Sequence, residues 1–432
     1  MRVKTTFAAF ALAALLTALW AGPANAGVIK VGPGDSIQAA IDQADPGDTI
    51  KLAPGTYQQN VQIKKDGITL KGAGAHDTIL QGGGTATPVD PVCGGEAGGF
   101  SGICVADATV SDTGPPVPNR EIADVEIKGL TVKGFEGDGV FFFGTRDQRV
   151  SHVIADGNGG YGIVAFDTTG GRYWGNVTSG NHEAGIYVGD SPEANAVVRD
   201  NVSYANVGFG IFVRDAAHGV VAENETFDNC VGILFLDTPE DPSAPAPHPA
   251  SDWNAWGNSA NHNNAFCPPS EDDPTGTSGL GIVIASAHRI TLAGNTANGN
   301  VPSGDSLASA GIVVITVPGP TPETTPAATD NVVKFNSAFG NSPVDLLWDG
   351  QGDNAFTGNR CETSNPDGLC TSGGQGHHGH HGDHGSHGNH GDHRSHGGKG
   401  DHGQHGHHGH HKGHGHHGKH HRHGGHGKHH RD

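Results

Sequence analysis

The chain has 432 residues, with 71 glycines, six cysteines and a net charge of −20 when histidine is neutral. Its last 57 residues hold 24 of the 31 histidines and carry +3, and the first 26 carry +2, so residues 27–375 carry −25. An acidic body of this kind argues against nucleic acid as a partner and suits an extracellular surface that holds divalent cations, or one that simply stays soluble.

Residues 1–26 place Arg2 and Lys4 before an apolar run from Phe7 to Trp20 and end in Ala24-Asn25-Ala26. That pattern predicts a secretory signal peptide and a secreted, extracytoplasmic mature chain from Gly27. No later stretch approaches the length of apolar chain that spans a bilayer, so no transmembrane segment is expected in the mature chain. Export makes the cysteines disulfide partners, and their spacing suggests Cys93 with Cys104, Cys230 with Cys267 and Cys361 with Cys370.

Asp35-Ser36-Ile37-Gln38 reads as a capping box, and Ile37, Ala40, Ile41 and Ala44 share one helical face before Pro46-Gly47. A short cap helix is predicted there, able to cover the first coil of the body. The body itself is repetitive. A glycine and an apolar triplet recur at Gly139, Gly162, Gly185, Gly210, Gly232, Gly281 and Gly311, and the first five starts are 23, 23, 25 and 22 residues apart. This period is too short for a helix pair and right for one coil of a strand-built solenoid.

Between the glycines lie asparagines five apart: Asn176 and Asn181, Asn201 and Asn206, Asn224 and Asn229, Asn258 and Asn263, Asn295 and Asn300, Asn336 and Asn341. In stacked coils they would meet as hydrogen-bonded ladders, although plain turn asparagines fit the same fold. Ile186 and Val188, Ile211 and Val213, Ile282 and Ile284, and Ile290 and Leu292 alternate inward, as a pleated wall requires. The last coil is expected to close around Phe356, Asn359 and the Cys361–Cys370 loop.

The run SIQAAIDQADPGDTIKLAPGTY from Ser36, followed by QNVQIKKDGITLKG, resembles the opening of the right-handed parallel β-helix, or pectin-lyase-like, family. The likeness covers about residues 30–365. It implies an all-β fold: a single-stranded right-handed parallel β-helix over residues 27–370 with an N-terminal cap helix, leaving residues 371–432 as a Gly/His-rich tail. Members include pectate and pectin lyases, polygalacturonases, alginate epimerases and the copper-maturation protein NosD. Neither an epimerase-type Tyr-Gly-Phe-Asp-Pro-His run nor a calcium-binding nonapeptide array is present in this sequence.

Five residues past successive motif starts stand Asp167, Asp190, Asp215 and Asp237, then Ser286, Thr316 and Asp349. Turn capping explains such a column, and it is the favoured reading. A line of carboxylates contacting calcium or sugar is the other, with the four aspartates as binding residues. Arg214, Asp215 and His218 are the catalytic candidates if the chain is a lyase or hydrolase. Proline-rich insertions from Thr238 and Val317 fall at the same corner, where binding sites develop on regular scaffolds. Trp253, Trp256 and Tyr173 lie on the next strand and are candidates for flat contacts with sugar rings, or else coil filling.

The tail cannot bury a core and is expected to be disordered. Its imidazoles can take up copper, nickel or zinc without a preset fold, through His377, His378, His380, His381, His384, His387, His390, His393, His407, His408, His410, His411, His416, His417, His420 and His421. A charge-based reading competes, because the same imidazoles become cations below neutral pH. The expected protein is thus a secreted monomer that binds polysaccharide, a cell-surface glycan included, and divalent metal ions. A polysaccharide lyase or hydrolase, a NosD-like copper protein and a structural surface spacer are the alternatives.

Overall fold

A computed structural model describes residues 26–84, 89–94, 99–111, 114–238, 249–269, 276–318 and 327–371. Residues 1–25, which hold most of the expected signal peptide, the middle of both proline-rich insertions and all the tail histidines named above lie outside these residues.

Each coil makes three short strands, one per wall. In the coil that starts at Gly162, Ile163–Thr169 lies on the first wall, Arg172–Trp174 on the second and Val177–Ser179 on the third. Every strand pairs in parallel with its equivalent in the next coil, as Ile163 does with Ile186 and Ile186 with Ile211. The first and second walls merge into one sheet because Phe209–Ala222 runs round their shared corner without a break. Two inserted hairpins pair antiparallel, Ala108–Ser111 with Gly114–Pro118 and Phe266–Cys267 with Thr277–Ser278, and a single antiparallel bridge joins Leu236 to Ser286.

Apolar residues stack along the axis in columns. Ile103, Val140, Ile163, Ile186, Ile211, Ile233, Ile282, Ile312 and Leu346 occupy successive rungs of the first wall, and all are fully buried. The alternating residues read from the sequence as inward-facing belong to this core.

The asparagines form two continuous ladders, one on each side of the third wall. At the first, the Asn176 side-chain amide donates to the Asn201 oxygen at 3.0 Å, and the pattern continues through Asn224, Asn258, Asn295 and Asn336 to Asn359. At the second, Asn158, Asn181, Asn206, Asn229, Asn263, Asn300 and Asn341 are linked in the same way. Each inner asparagine is saturated. Asn224, for example, accepts from the backbone and side-chain amides of Asn201 and donates to the Val198 carbonyl and to Asn258.

The motif glycines exist because of the second ladder. A β-carbon on Gly162 would lie 2.6 Å from the Gly185 carbonyl and 2.8 Å from the Asn181 side-chain nitrogen. The same pair of collisions recurs at Gly210, against Gly232 and Asn229, and at Gly281, against Gly311 and Asn300. Glycine is thus demanded by close approach between rungs.

Near the start, Ile37–Gln43 forms the expected helix and buries Ile37, Ala40 and Ile41. Ser36 is its N-cap, accepting from the Ala39 amide at 3.1 Å. The capping box is not realised, since Gln38 faces the wall and pairs with both backbone groups of Gln62. Lys65 reaches the other end of the helix and donates to the carbonyls of Ile41, Asp42 and Ala44, at the terminus where a helix leaves such groups unpaired. All three disulfides join the cysteines that the spacing suggested. At the far end, Asn359 and Leu369 are buried and Phe356 packs against the core. No helix among the described residues is long and apolar enough to cross a membrane.

The second ladder ends on a carboxylate. Asp345 accepts from the side-chain and backbone amides of Asn341 through one oxygen and from the Glu362 and Thr363 amides through the other. Burial alone would raise this carboxyl, but those four bonds outweigh it and hold it below its ordinary value.

The ladders can be tested at an inner rung and at their end. Replacing Asn224 with alanine strands the buried groups that it pairs and should cost roughly 2–4 kcal/mol in urea unfolding; the same change at Asn254, exposed on the strand Ser251–Trp256, should cost under about 0.5 kcal/mol, and equal losses would refute the saturation argument. Because Asp345 has a depressed pKa in the fold, its contribution is present above the ordinary carboxylate value of about 3.9 and disappears as pH falls through the folded value. Asp345→Asn should therefore lower the melting temperature at pH 7 and flatten its fall between about pH 4 and pH 2.

Candidate functional site

Where the first-wall strands end, the chain kinks through one residue in the left-handed region. Gly144, Asp167, Asp190, Asp215 and Ser286 have φ of 63°, 51°, 49°, 48° and 54°. Glycine tolerates that conformation, and aspartate does so better than most side chains. The residue types in this column are set first by the backbone.

The strand register puts the aspartates on consecutive rungs. Phe166 pairs with Gly189, Gly189 with Arg214 and Arg214 with Leu236, so Asp167, Asp190, Asp215 and Asp237 succeed one another along the corner. Ser286 comes next, since Phe235 pairs with Ile284. Asp349 departs from the expected alignment: Val314 pairs with Trp348, which puts Asp349 opposite Ile315, and its carboxylate reaches across to the Thr316 amide at 2.6 Å.

These side chains do different things. Asp215 is buried and accepts the Thr238 amide of the next coil at 2.7 Å, just as Ser286 accepts that of Val317 at 2.9 Å. Turn capping therefore accounts for both. Asp237 is also buried, 3.8 Å from Nδ1 of His288, an imidazole that burial and the neighbouring Arg289 push below its ordinary pKa. Asp167 and Asp190 are exposed. Among the described residues, no three carboxylate, imidazole or thiol groups converge on a point where they could hold a metal ion.

Of the catalytic candidates, the structure brings together Arg214 and Asp215. Arg214 Nε lies 3.5 Å from the Asp215 carboxylate, and an Nη lies 3.4 Å from that of Asp190 on the rung before. His218 sits beyond the corner, with Nε2 3.9 Å from Glu193 and φ of 65°. It shares no contact with the pair that the structure records.

Tyr187, which the sequence pattern did not single out, completes the site. Its ring lies along its own strand over Gly189, where a β-carbon would stand 2.1 Å from the Tyr187 hydroxyl. Arg214 is the cross-strand neighbour of Gly189, so its guanidinium settles 5.7 Å from the centre of that ring. Tyr161, Phe166 and Phe212 pack around the same ring at 4.9–5.1 Å. Burial raises the Tyr187 phenol well above its ordinary pKa, and its hydroxyl has no hydrogen-bond partner. The signal was legible as the Tyr-x-Gly of GIYVG, a large ring two residues from the space it needs.

Arg214 is thereby aimed and under-used. Its side chain is one-third exposed, its Nε is buried and makes no hydrogen bond, and an Nη donates to both Asp190 oxygens only at 3.4–3.5 Å.

The aromatic candidates divide. Trp253 and Tyr173 are fully buried: Trp253 Nε1 donates to the Ala216 carbonyl, and the Tyr173 hydroxyl accepts from Gln148. They fill the coil, because residues at their positions point inward. Trp256 is 42% exposed, on the outer face of the second wall.

Residues 96–244 match the family described as "Right handed beta helix region". The fold is a right-handed parallel β-helix. The chain is similar in structure to the Azotobacter vinelandii mannuronan C-5 epimerase AlgE4 A-module, with 18% identity and a TM-score of 0.50 over 77% of this chain and 96% of that one. It is also similar to the alginate lyase from Paenibacillus sp. str. FPU-7, with 16% identity and a TM-score of 0.49 over 76% and 99%, and to the Yersinia enterocolitica family 28 exopolygalacturonase, with 13% identity and a TM-score of 0.46 over 79% and 77%. At these identities the likeness is one of fold. No curated protein matches the sequence.

Burial raises the Asp215 carboxyl, and the Thr238 amide and Arg214 offset this only in part. An acid raised in the fold contributes stability below its ordinary pKa and loses it as pH rises through the folded value. Asp215→Asn keeps the oxygen that accepts from Thr238, so at pH 7 its melting temperature should equal or exceed that of the parent, opposite in sign to Asp345→Asn. A clear loss at pH 7 that shrinks as pH falls and the parent's carboxyl protonates would show that the charge itself holds the corner.

Proposed function

We propose that this protein is an extracytoplasmic polysaccharide-binding β-helix, with Arg214 and Asp190 as the sugar contacts of the first-wall corner and Asp167 continuing that line. The single observation that carries the reading is the state of Arg214: fixed over Tyr187 between two carboxylates, one-third exposed, and bonded to exposed Asp190 only through long contacts of 3.4–3.5 Å. Such a group is preorganised to take a carboxylate or hydroxyl of a sugar, and exposed Asp190 beside it accepts from hydroxyls. Further support comes from the fold shared with a module named for epimerising mannuronan.

Binding is favoured over catalysis by the Tyr187 environment. Proton abstraction next to a sugar carboxylate needs a base near neutrality, whereas this phenol is raised by burial and inaccessible. Asp215 is committed to Thr238, and His218 lies apart. A lyase or hydrolase remains the second reading. The buried face of the Ile37–Gln43 helix supports a capping role for it at the first coil. Calcium at the corner would have to recruit ligands beyond the described carboxylates, so direct contact with sugar is the preferred reading.

The histidine tail is proposed as a separate metal-binding segment for copper, nickel or zinc, which leaves a NosD-like role in copper handling open as a variant of the same proposal.

Retention of the mature chain on immobilised polygalacturonate and alginate should fall by roughly tenfold in Arg214→Ala and by less in Asp190→Ala, with unchanged melting curves. Absence of binding to any polymer in such a panel would leave the surface-spacer alternative standing. Unsaturated or reducing ends released from those polymers, and lost in Asp215→Ala, would move the protein to the enzyme reading. Calorimetric titration with Cu²⁺, Ni²⁺ or Zn²⁺ at pH 7.5 should show several sites per chain. They should weaken steeply below about pH 6, because an imidazole must lose its proton to bind a metal.

A further inference from the structure

The outer face of the second wall carries features that the corner site does not use. Strand register places Arg149 beside Arg172, and on the neighbouring row Trp174, Arg199, Ala222 and Trp256 occupy successive rungs. Arg149, Arg172, Trp174, Val197, Arg199 and Asp200 line a shallow hollow of about 410 Å³. Trp174 points outward because the inward position of its strand belongs to Tyr173. With rungs about 4.8 Å apart, Trp174 and Trp256 stand about 14 Å from each other on one line, with Arg199 between them.

The three arginines differ in what they are bound to. Arg199 is held by Asp200 and Glu223, both at 2.8 Å, and Arg149 lies 3.5 Å from Asp124. Arg172 donates to the backbone carbonyls of Asn195 and Gly171, and no carboxylate among the described residues pairs with it. In a body with an excess of 25 negative charges, an exposed guanidinium that has not been paired off, beside an outward-facing indole, is a departure from the surrounding surface.

We infer that this face is a second glycan-binding site, distinct from the first-wall corner, for a sugar chain that carries anionic substituents, carboxylate or sulfate. Trp174 and Trp256 offer flat faces to the apolar sides of sugar rings, and Arg172 takes the charged substituent through paired N–H donors. The straight row along the solenoid axis suits an extended chain lying across several rungs. This site stands independently of the Arg214 site.

The test uses the full mature chain at pH 8, where the tail imidazoles are neutral, in native gels cast with dextran sulfate, polygalacturonate or neutral dextran, paired with tryptophan fluorescence. Dextran sulfate or polygalacturonate should retard the protein and quench its fluorescence, while neutral dextran should do neither; whichever charged polymer acts identifies the substituent. Arg172→Ala and Trp174→Ala should each weaken that response about tenfold, with melting temperature unchanged because both side chains stand on the outer face. Arg214→Ala should leave the dextran sulfate response and the quenching of Trp174 intact, so failure of one site is distinguishable from failure of the other. The inference is overturned if neutral dextran acts as strongly as the charged polymers. It is equally overturned if Arg172→Ala and Trp174→Ala behave as the parent does, or if they change the sedimentation coefficient and not the glycan response, which would make the face a contact between copies of the chain.

Discussion

The packing of a glycine column against an asparagine ladder is the constraint on which the rest of this molecule depends. Six of the seven motif glycines pack so closely that a single methyl group would strike both a carbonyl oxygen and an asparagine amide, and at Gly185 it would strike the Asn206 amide and the hydroxyls of Ser203 and Thr178. Each asparagine in turn joins the coil before it to the coil after it. Neither column can shift by one residue without breaking the other. A one-residue slip would also turn the apolar column outward. Register is thus specified three times over, and this lets insertions such as the hairpin between Phe266 and Ser278 leave and rejoin the solenoid without disturbing it.

That redundancy explains why the fold was legible in the sequence. Gly-Ile starts, asparagines five apart and alternating isoleucines are three periodic records of one geometry, and periodicity survives without an alignment. Pairing of the cysteines was legible for a related reason: local spacing leaves few partners once coils are in order. The capping box was misread because Gln38 had a partner from another segment, Gln62, which no local pattern could announce. Asp349 was placed one residue off because the count began at Val344, which pairs with Ala310, whereas Asp345 holds the place of the motif glycine Gly311.

The site was harder to read for a physical reason. At a corner where the backbone enters the left-handed region, aspartate is chosen by conformation before chemistry, so the row Asp167, Asp190, Asp215 and Asp237 would arise with or without a ligand. Position alone could not separate Asp215, which holds the Thr238 amide, from Asp190, which faces solvent beside Arg214. Likewise, Trp253 and Trp256 differ by three residues and stand on opposite sides of the wall, which only the strand phase decides.

What distinguishes function from scaffold in this molecule is departure from the repeat. A solenoid rung is under strong pressure toward one apolar pattern, so residues that break the pattern without serving the ladder need another explanation. Gly189 gives up a side chain so that Tyr187 can lie flat, and Arg214 occupies the space beside it where Phe166 and Leu236 stand on the adjoining rungs. Asp215 fails this criterion, because its kink and its bond to Thr238 recur in another form at Ser286 and Val317. Arg214 passes it, because nothing in the architecture of the coil requires a guanidinium over an aromatic ring at that position.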